Sequence, residues 1–147
     1  METKNLWGNL DLDVPLRTPA TVLKEQANML SSITNGVLSG DVRVSQTSKA
    51  FLTEMYIVAP AINNYEINIL DIESDSLVGL YPVIVRPQLG ESDQGIECQN
   101  EEELTTVLEG ILGSKRIKQA IRSLVAQSKV VSSRQNSGFI PFRSQAI

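Results

Sequence analysis

The 147-residue chain has no histidine, a single cysteine, 5% aromatic residues and no acidic side chain after Glu109. Imidazole is the only side chain that titrates near neutral pH without help. Its absence removes Ser-His-Asp and Cys-His hydrolysis, histidine general acid–base catalysis and every zinc site that needs a ring nitrogen. One cysteine, Cys98, can close no internal disulfide and cannot build a four-cysteine zinc site, and it fits a reducing compartment. It lies between Glu97 and Glu101 with no base nearby in sequence to activate it, so a quiet structural thiol is expected. The longest nearly apolar run, residues 77–85, is far shorter than the roughly 20 residues of a membrane helix. The N-terminal METKNLWGNLDLD has no basic segment followed by an apolar one, so no secretory signal and a cytoplasmic location are expected. Carboxylate chemistry, lysine chemistry or no chemistry remains.

What is present is charge divided by position. Residues 1–109 carry all 17 acidic side chains against six bases, a net charge of −11, whereas residues 110–147 carry seven bases and no acid. Such a division implies two surfaces with different partners, or a basic segment lying on its own acidic body. With 41% hydrophobic and 20% charged residues, the composition is that of one globular domain able to bury roughly 70% of the surface its unfolded chain exposes.

The pattern predicts an α+β fold. Thr18 followed by Pro19 announces a helix over 19–35, closed at Asn35-Gly36, with Leu23, Ala27, Leu30 and Ile33 on one face and Met29 beside them. From Val37 to Pro87, β-branched and aromatic runs alternate with turn formers and read as antiparallel strands at about 37–47, 51–59, 65–73 and 77–86. In the third, Tyr65, Ile67 and Ile69 alternate with Glu66 and Asn68, one packed face and one wet. Residues 60–64 make the second and third strands a hairpin, and Pro82 places the fourth at an edge or a bulge. Residues 89–95 read as a polar loop.

Asn100 with Glu103 forms a capping box for a helix whose stripe is Leu104, Val107, Leu108, Ile111 and Leu112. Gly113-Ser114 ends it and opens a second, with Ile117, Ile121, Leu124 and Val125 inward, through about Gln127. The expected architecture is an N-terminal helix, an antiparallel meander of four to five strands and a C-terminal helix pair packed on one sheet face. An arm at 1–17 precedes the domain at 18–128, and a basic, flexible tail at 129–147 follows it.

Several constellations invite a function. Leu10, Leu12 and Val14, with Leu16 and Trp7, alternate with Asp11, Asp13 and Pro15 in a segment able to add as a strand to a sheet edge, unless it pairs within its own domain. Phe139, Ile140 and Phe142 form an apolar patch in the polar tail, suited to a partner groove or to the chain's own body. Lys115, Arg116, Lys118 and Arg122, continued by Lys129, Arg134 and Arg143, form a basic stripe for phosphates or a solvated helix face. Lys115 and Arg116 stand in the opening turn of a helix, where the macrodipole disfavours cations by about 0.3–1 kcal/mol each.

Asp71, Glu73 and Asp75 alternate at a strand end, but Ser76 and Pro82 occupy the positions where a calcium loop needs glycine and glutamate, and solvated strand-end charges explain them. GILGSK has neither the spacing of a phosphate loop nor a strand before it. Tyr56, Tyr65 and Tyr81 are candidates to line a small-ligand pocket. The composition thus points to a non-catalytic protein-interaction protein without cofactor or metal, self-associating or acting as adaptor, inhibitor or accessory subunit. The alternative is nucleic-acid association through the basic helix and tail.

Overall fold

The computed structural model describes residues 3–48, 50–75, 77–90 and 94–136. Helix α1 spans Pro19–Ile33, followed by strands β1 (Ser39–Gln46), β2 (Phe51–Ala59), β3 (Tyr65–Ser74), β4 (Val83–Pro87) and β5 (Ile96–Cys98), then helices α2 (Glu101–Leu112) and α3 (Lys115–Asn136). The five strands pair in sequence order, every pair antiparallel, as the meander reading requires. The α+β architecture with one N-terminal and two C-terminal helices is the one expected. No helix among the described residues is long and apolar enough to cross a membrane.

Local chemistry explains the boundaries. Thr18 Oγ1 accepts from the Thr21 amide and Pro19 occupies the first helical position of α1. The helix stops at Ile33, two residues before the expected end at Asn35: the Gly36 amide reaches back to the Ser31 carbonyl at 2.8 Å with Gly36 at φ +80° and Asn35 at φ 53°. In α2 the Asn100 side chain accepts from the Glu103 amide at 2.9 Å, while the Glu103 carboxylate takes the Gln99 amide, one residue before the usual partner of a capping box. The β2–β3 connection is a 3-10 turn, Pro60–Ile62, then Asn63 and Asn64 in the left-handed region.

One sheet face is covered and the other is open. On the covered face, Met55, Ile57, Leu70, Ile72, Val83 and Val85 meet Val22, Leu23 and Ala27 of α1, Leu104 and Leu108 of α2, and Ile117 and Leu124 of α3 in one core. On the opposite face stand Arg43, Glu54, Tyr56, Asp71, Glu73 and Arg86, none of them buried. A bulge gives both faces their composition. The register shifts between Met55 and Tyr56, leaving Ile69 without a partner on β2, so the packed set changes parity from Ile67 to Leu70 and Ile72. The Asn68 amide group fills the bulge, donating to the Met55 carbonyl at 3.1 Å and to Asp71 at 3.0 Å.

Three expectations are corrected. The fourth strand starts at Val83, because residues 77–80 form an exposed bend and Pro82, after a cis peptide bond, stands before the ladder. The fifth strand of the expected four to five is Ile96–Cys98, where Cys98 pairs with Val83 and lies fully buried. Met29 and Ile33 are exposed, the α1 stripe being Val22, Leu23 and Ala27 with Leu30 beside it. Helix α3 continues past Gln127 to Asn136, so residues 129–136 are helix rather than tail. Its inward face goes on through Ser128, 1% exposed, and half-buried Val131 and Ser132; serine at core positions interrupts the apolar period by which the helix was recognised.

Candidate interaction site

The N-terminal arm is the most unusual surface of the molecule. Every residue from Thr3 to Arg17 is exposed, and Leu6, Trp7 and Leu12 are each more than 80% accessible. Isolated exposed leucines are ordinary, but six large apolar side chains within eleven residues are not, the other eight exposed ones being scattered between Met29 and Val130. Pairing of the arm within its own domain is therefore not what the structure contains. Nor is the arm a strand. Asp11 is at φ 54°, Val14 donates to the Asp11 carbonyl at 3.2 Å, and Gly8 is at φ +72°, so two turns break the alternation of Leu10, Leu12, Val14 and Leu16. The side chains of Asn5 and Asn9 accept from the Trp7 and Asp11 amides, each two residues on, and stabilise those turns.

The root of the arm is held by charge. Arg17 donates from Nη1 to Glu25 on α1 and from Nε to Glu101 at the start of α2. The guanidinium holds the Glu25 carboxyl below the ordinary glutamate range, and the two carboxylates raise the Arg17 pKa in turn. A depressed carboxyl pKa stabilises this contact above the ordinary glutamate range and loses that effect as pH falls through the depressed value.

Beside this root lies an apolar cavity of about 200 Å³. The first turn of α1 supplies Thr18 and Ala20, β2 supplies Phe51 and Thr53, β3 supplies Ile72, and Leu77 stands at the rim, 57% exposed. Among the described residues no charged side chain lines it. The local reason is the bend at 77–80, which leaves the sheet before β4 begins and so does not close over Phe51 and Ile72.

The basic stripe is present as a helix face. Lys115, Lys118 and Arg122 line one shallow depression on α3 with Gln119 and Ser123, and Arg116 is exposed on the next face round. Among the described residues none of these four makes an ion pair. Arg17, Arg43 and Arg86 in the acidic body all do, and Arg43 also stacks 4.0 Å over the Tyr56 ring. Phe139, Ile140 and Phe142, with Arg143, lie outside the described residues, as does the Arg134 side chain.

The remaining candidates separate. Tyr56 is on the open sheet face, Tyr65 lies in a groove under α3 with Ile67 and Leu124, and Tyr81 borders a small depression with Glu73 and Pro82, so the three do not share a pocket. Asp71 is taken up by Asn68 and Glu73 by Arg86, and among the described residues no three carboxylate or thiol groups converge to hold a cation. Burial, and then Glu103, push the Cys98 thiol pKa up. Cys98 should accordingly react with a disulfide reagent only when the β4–β5 edge opens. At about 5 kcal/mol for that opening, the low end of domain stability, the native rate should be roughly 10³-fold or more below that of the unfolded chain. A rate near the unfolded one would show that β5 is not held.

The arm and its neighbouring cavity were hidden from the sequence in different ways. The arm's apolar alternation was legible but its turns were not, and the cavity arises from residues of four separate segments. Compared with known protein families, curated proteins and solved structures, the chain matches none.

Proposed function

We propose that this chain is a non-catalytic protein of a reducing compartment that acts by self-association, with the N-terminal arm as its contact element. The observation that carries the reading is the exposure of Leu6, Trp7, Leu10, Leu12, Val14 and Leu16 together. Covering a large apolar side chain is worth about 1.5–3 kcal/mol, so six offer roughly 9–18 kcal/mol per arm before ordering costs. Association costs about 4–15 kcal/mol in lost motion, which two exchanged arms exceed over the whole of that range and one arm over only part of it. A reciprocal dimer, with the same contact made twice, therefore fits the energetics best.

Sedimentation of the full chain should show a concentration-dependent dimer, and removal of residues 1–16 should leave a monomer with nearly unchanged thermal stability, because the arm covers none of the core. A full chain that stays monomeric at every concentration would remove the reading.

A second reading, polyanion binding on α3, is favoured by Lys115, Lys118 and Arg122, which make no ion pair among the described residues. If three phosphates are neutralised there, log K against log salt should fall with a slope of about −2.7 on duplex DNA. Replacing all three bases by alanine should abolish that slope; absence of any mobility shift at low salt excludes the reading.

A further inference from the structure

The chain has one tryptophan, and it is in solvent, while the cavity at the root of the same arm is open and uncharged. These two features fit each other. An apolar cavity of about 150 Å³ stays dry and accepts benzene. The present one, about 200 Å³ with Phe51, Ile72 and Ala20 in its wall, has room for most of an indole. A buried indole also needs an acceptor for its N–H. The Thr53 hydroxyl in the lining is of the right kind, its oxygen carrying two lone pairs.

The chain's own Trp7 does not occupy the cavity. The turns at Gly8 and at residues 11–14, together with the Arg17 contacts to Glu25 and Glu101, carry the arm off the body and leave Trp7 81% exposed. A second copy has the same exposed arm and the same open cavity. Two copies that exchange arms fill both cavities at once, and the exchange closes on itself as a two-fold contact must.

We propose that the cavity between the first turn of α1, β2 and the 77–80 bend is the receptor for Trp7 of a second copy. The inference rests on the self-association reading and adds to it the anchor residue and its pocket. A buried aromatic anchor of this kind dominates an interface, and its truncation commonly costs 2–4 kcal/mol, roughly 30-fold to 10³-fold in affinity.

The test joins sedimentation to the emission of the single tryptophan, measured on the full chain over a dilution series. Trp7 emission should move to the blue, and its quenching by iodide should fall, over the same concentrations at which dimer forms. Trp7→Ala should weaken association by roughly 30-fold or more. Ala20→Leu keeps the whole arm and fills the cavity, and should weaken association comparably. Leu77→Glu, at an exposed rim position, does so without touching the core and covers the case in which Ala20→Leu folds poorly. Mixing the Trp7→Ala chain, whose cavity is intact, with the Ala20→Leu chain, whose arm is intact, should restore blue emission.

Five results would overturn the proposal. A dimer with solvent-exposed emission would leave self-association standing and remove the cavity as its receptor, as would wild-type affinity in both cavity variants. A monomer with blue emission would assign the cavity to the chain's own arm. Loss of the dimer on truncation after Asn136, with no effect of Trp7→Ala, would assign it to residues 137–147. A monomer with exposed emission throughout would remove both the anchor and the reading beneath it.

Discussion

Gly40→Ala should destabilise the protein by about 1–3 kcal/mol, and Gly40→Val by more, although β-branched residues are otherwise favoured in strands. A Cβ on Gly40 would stand 2.5 Å from the Ala27 Cβ and 2.7 Å from its Cα. The Cα belongs to the α1 backbone and cannot rotate away, so relief requires the helix to lift from β1. Replacing glycine by alanine within a strand would otherwise gain roughly 0.5–1 kcal/mol, which the overlap outweighs. In a chain of this length each kcal/mol moves the midpoint by roughly 3 °C, so Gly40→Ala should lower it by about 3–10 °C. Adding Ala27→Gly should restore part of the loss, the double variant being more stable than the sum of the two singles. Full additivity would mean that α1 does not rest on β1 at this contact. Thr18 and Ala20 belong to the same helix, so Gly40→Val should weaken dimer formation as well as stability.

Leu70→Ala should cost about 3–5 kcal/mol, the upper part of the range for buried leucine truncation. Leu70 is fully buried on the central strand, between Met55 on β2 and Pro87 on β4, with helices over it. Both neighbours are held by their own ladders, so the cavity left by the lost methyls cannot collapse, and residual volume sets the penalty. The contrast is Leu12→Ala. Leu12 is 83% exposed, and its truncation should change the stability of the monomer by less than about 0.5 kcal/mol while weakening the dimer. Urea unfolding of the two variants under dilute conditions checks both statements, with the midpoint moving at constant slope for Leu70→Ala. A comparable loss at Leu12 would mean that the arm packs against its own domain.

The elements read best in advance were those with chemical punctuation. Thr18-Pro19, Asn63-Asn64, Asn100 with Glu103, and Gly113-Ser114 each place a particular side chain where the backbone needs a donor, an acceptor or a left-handed residue, and each is where the structure puts a boundary. The elements read least well were those set by partners distant in the chain. Residues 77–82 look like a strand but lie outside the ladder, while Ile96–Cys98 is too short to signal itself and is a strand because Val83–Val85 lies beside it. Helix α3 reads as ending at about Gln127, yet it continues past Ser128, which lies buried, to Asn136.

Composition alone decided which chemistry was out of reach: with no imidazole, one thiol and its charge divided along the chain, the protein was legible as an α+β domain with an acidic body, a basic end and an apolar arm. Those properties belong to residues singly or to neighbours within a few positions. Tertiary structure decided that the arm is left uncovered, that a bulge at Ile69 sends Leu70 and Ile72 inward, and that Thr18, Phe51, Ile72 and Leu77 enclose a space the size of an aromatic ring. Whether a surface is covered, and whether a space stays empty, depends on the packing of segments far apart in sequence, and no local pattern encodes that.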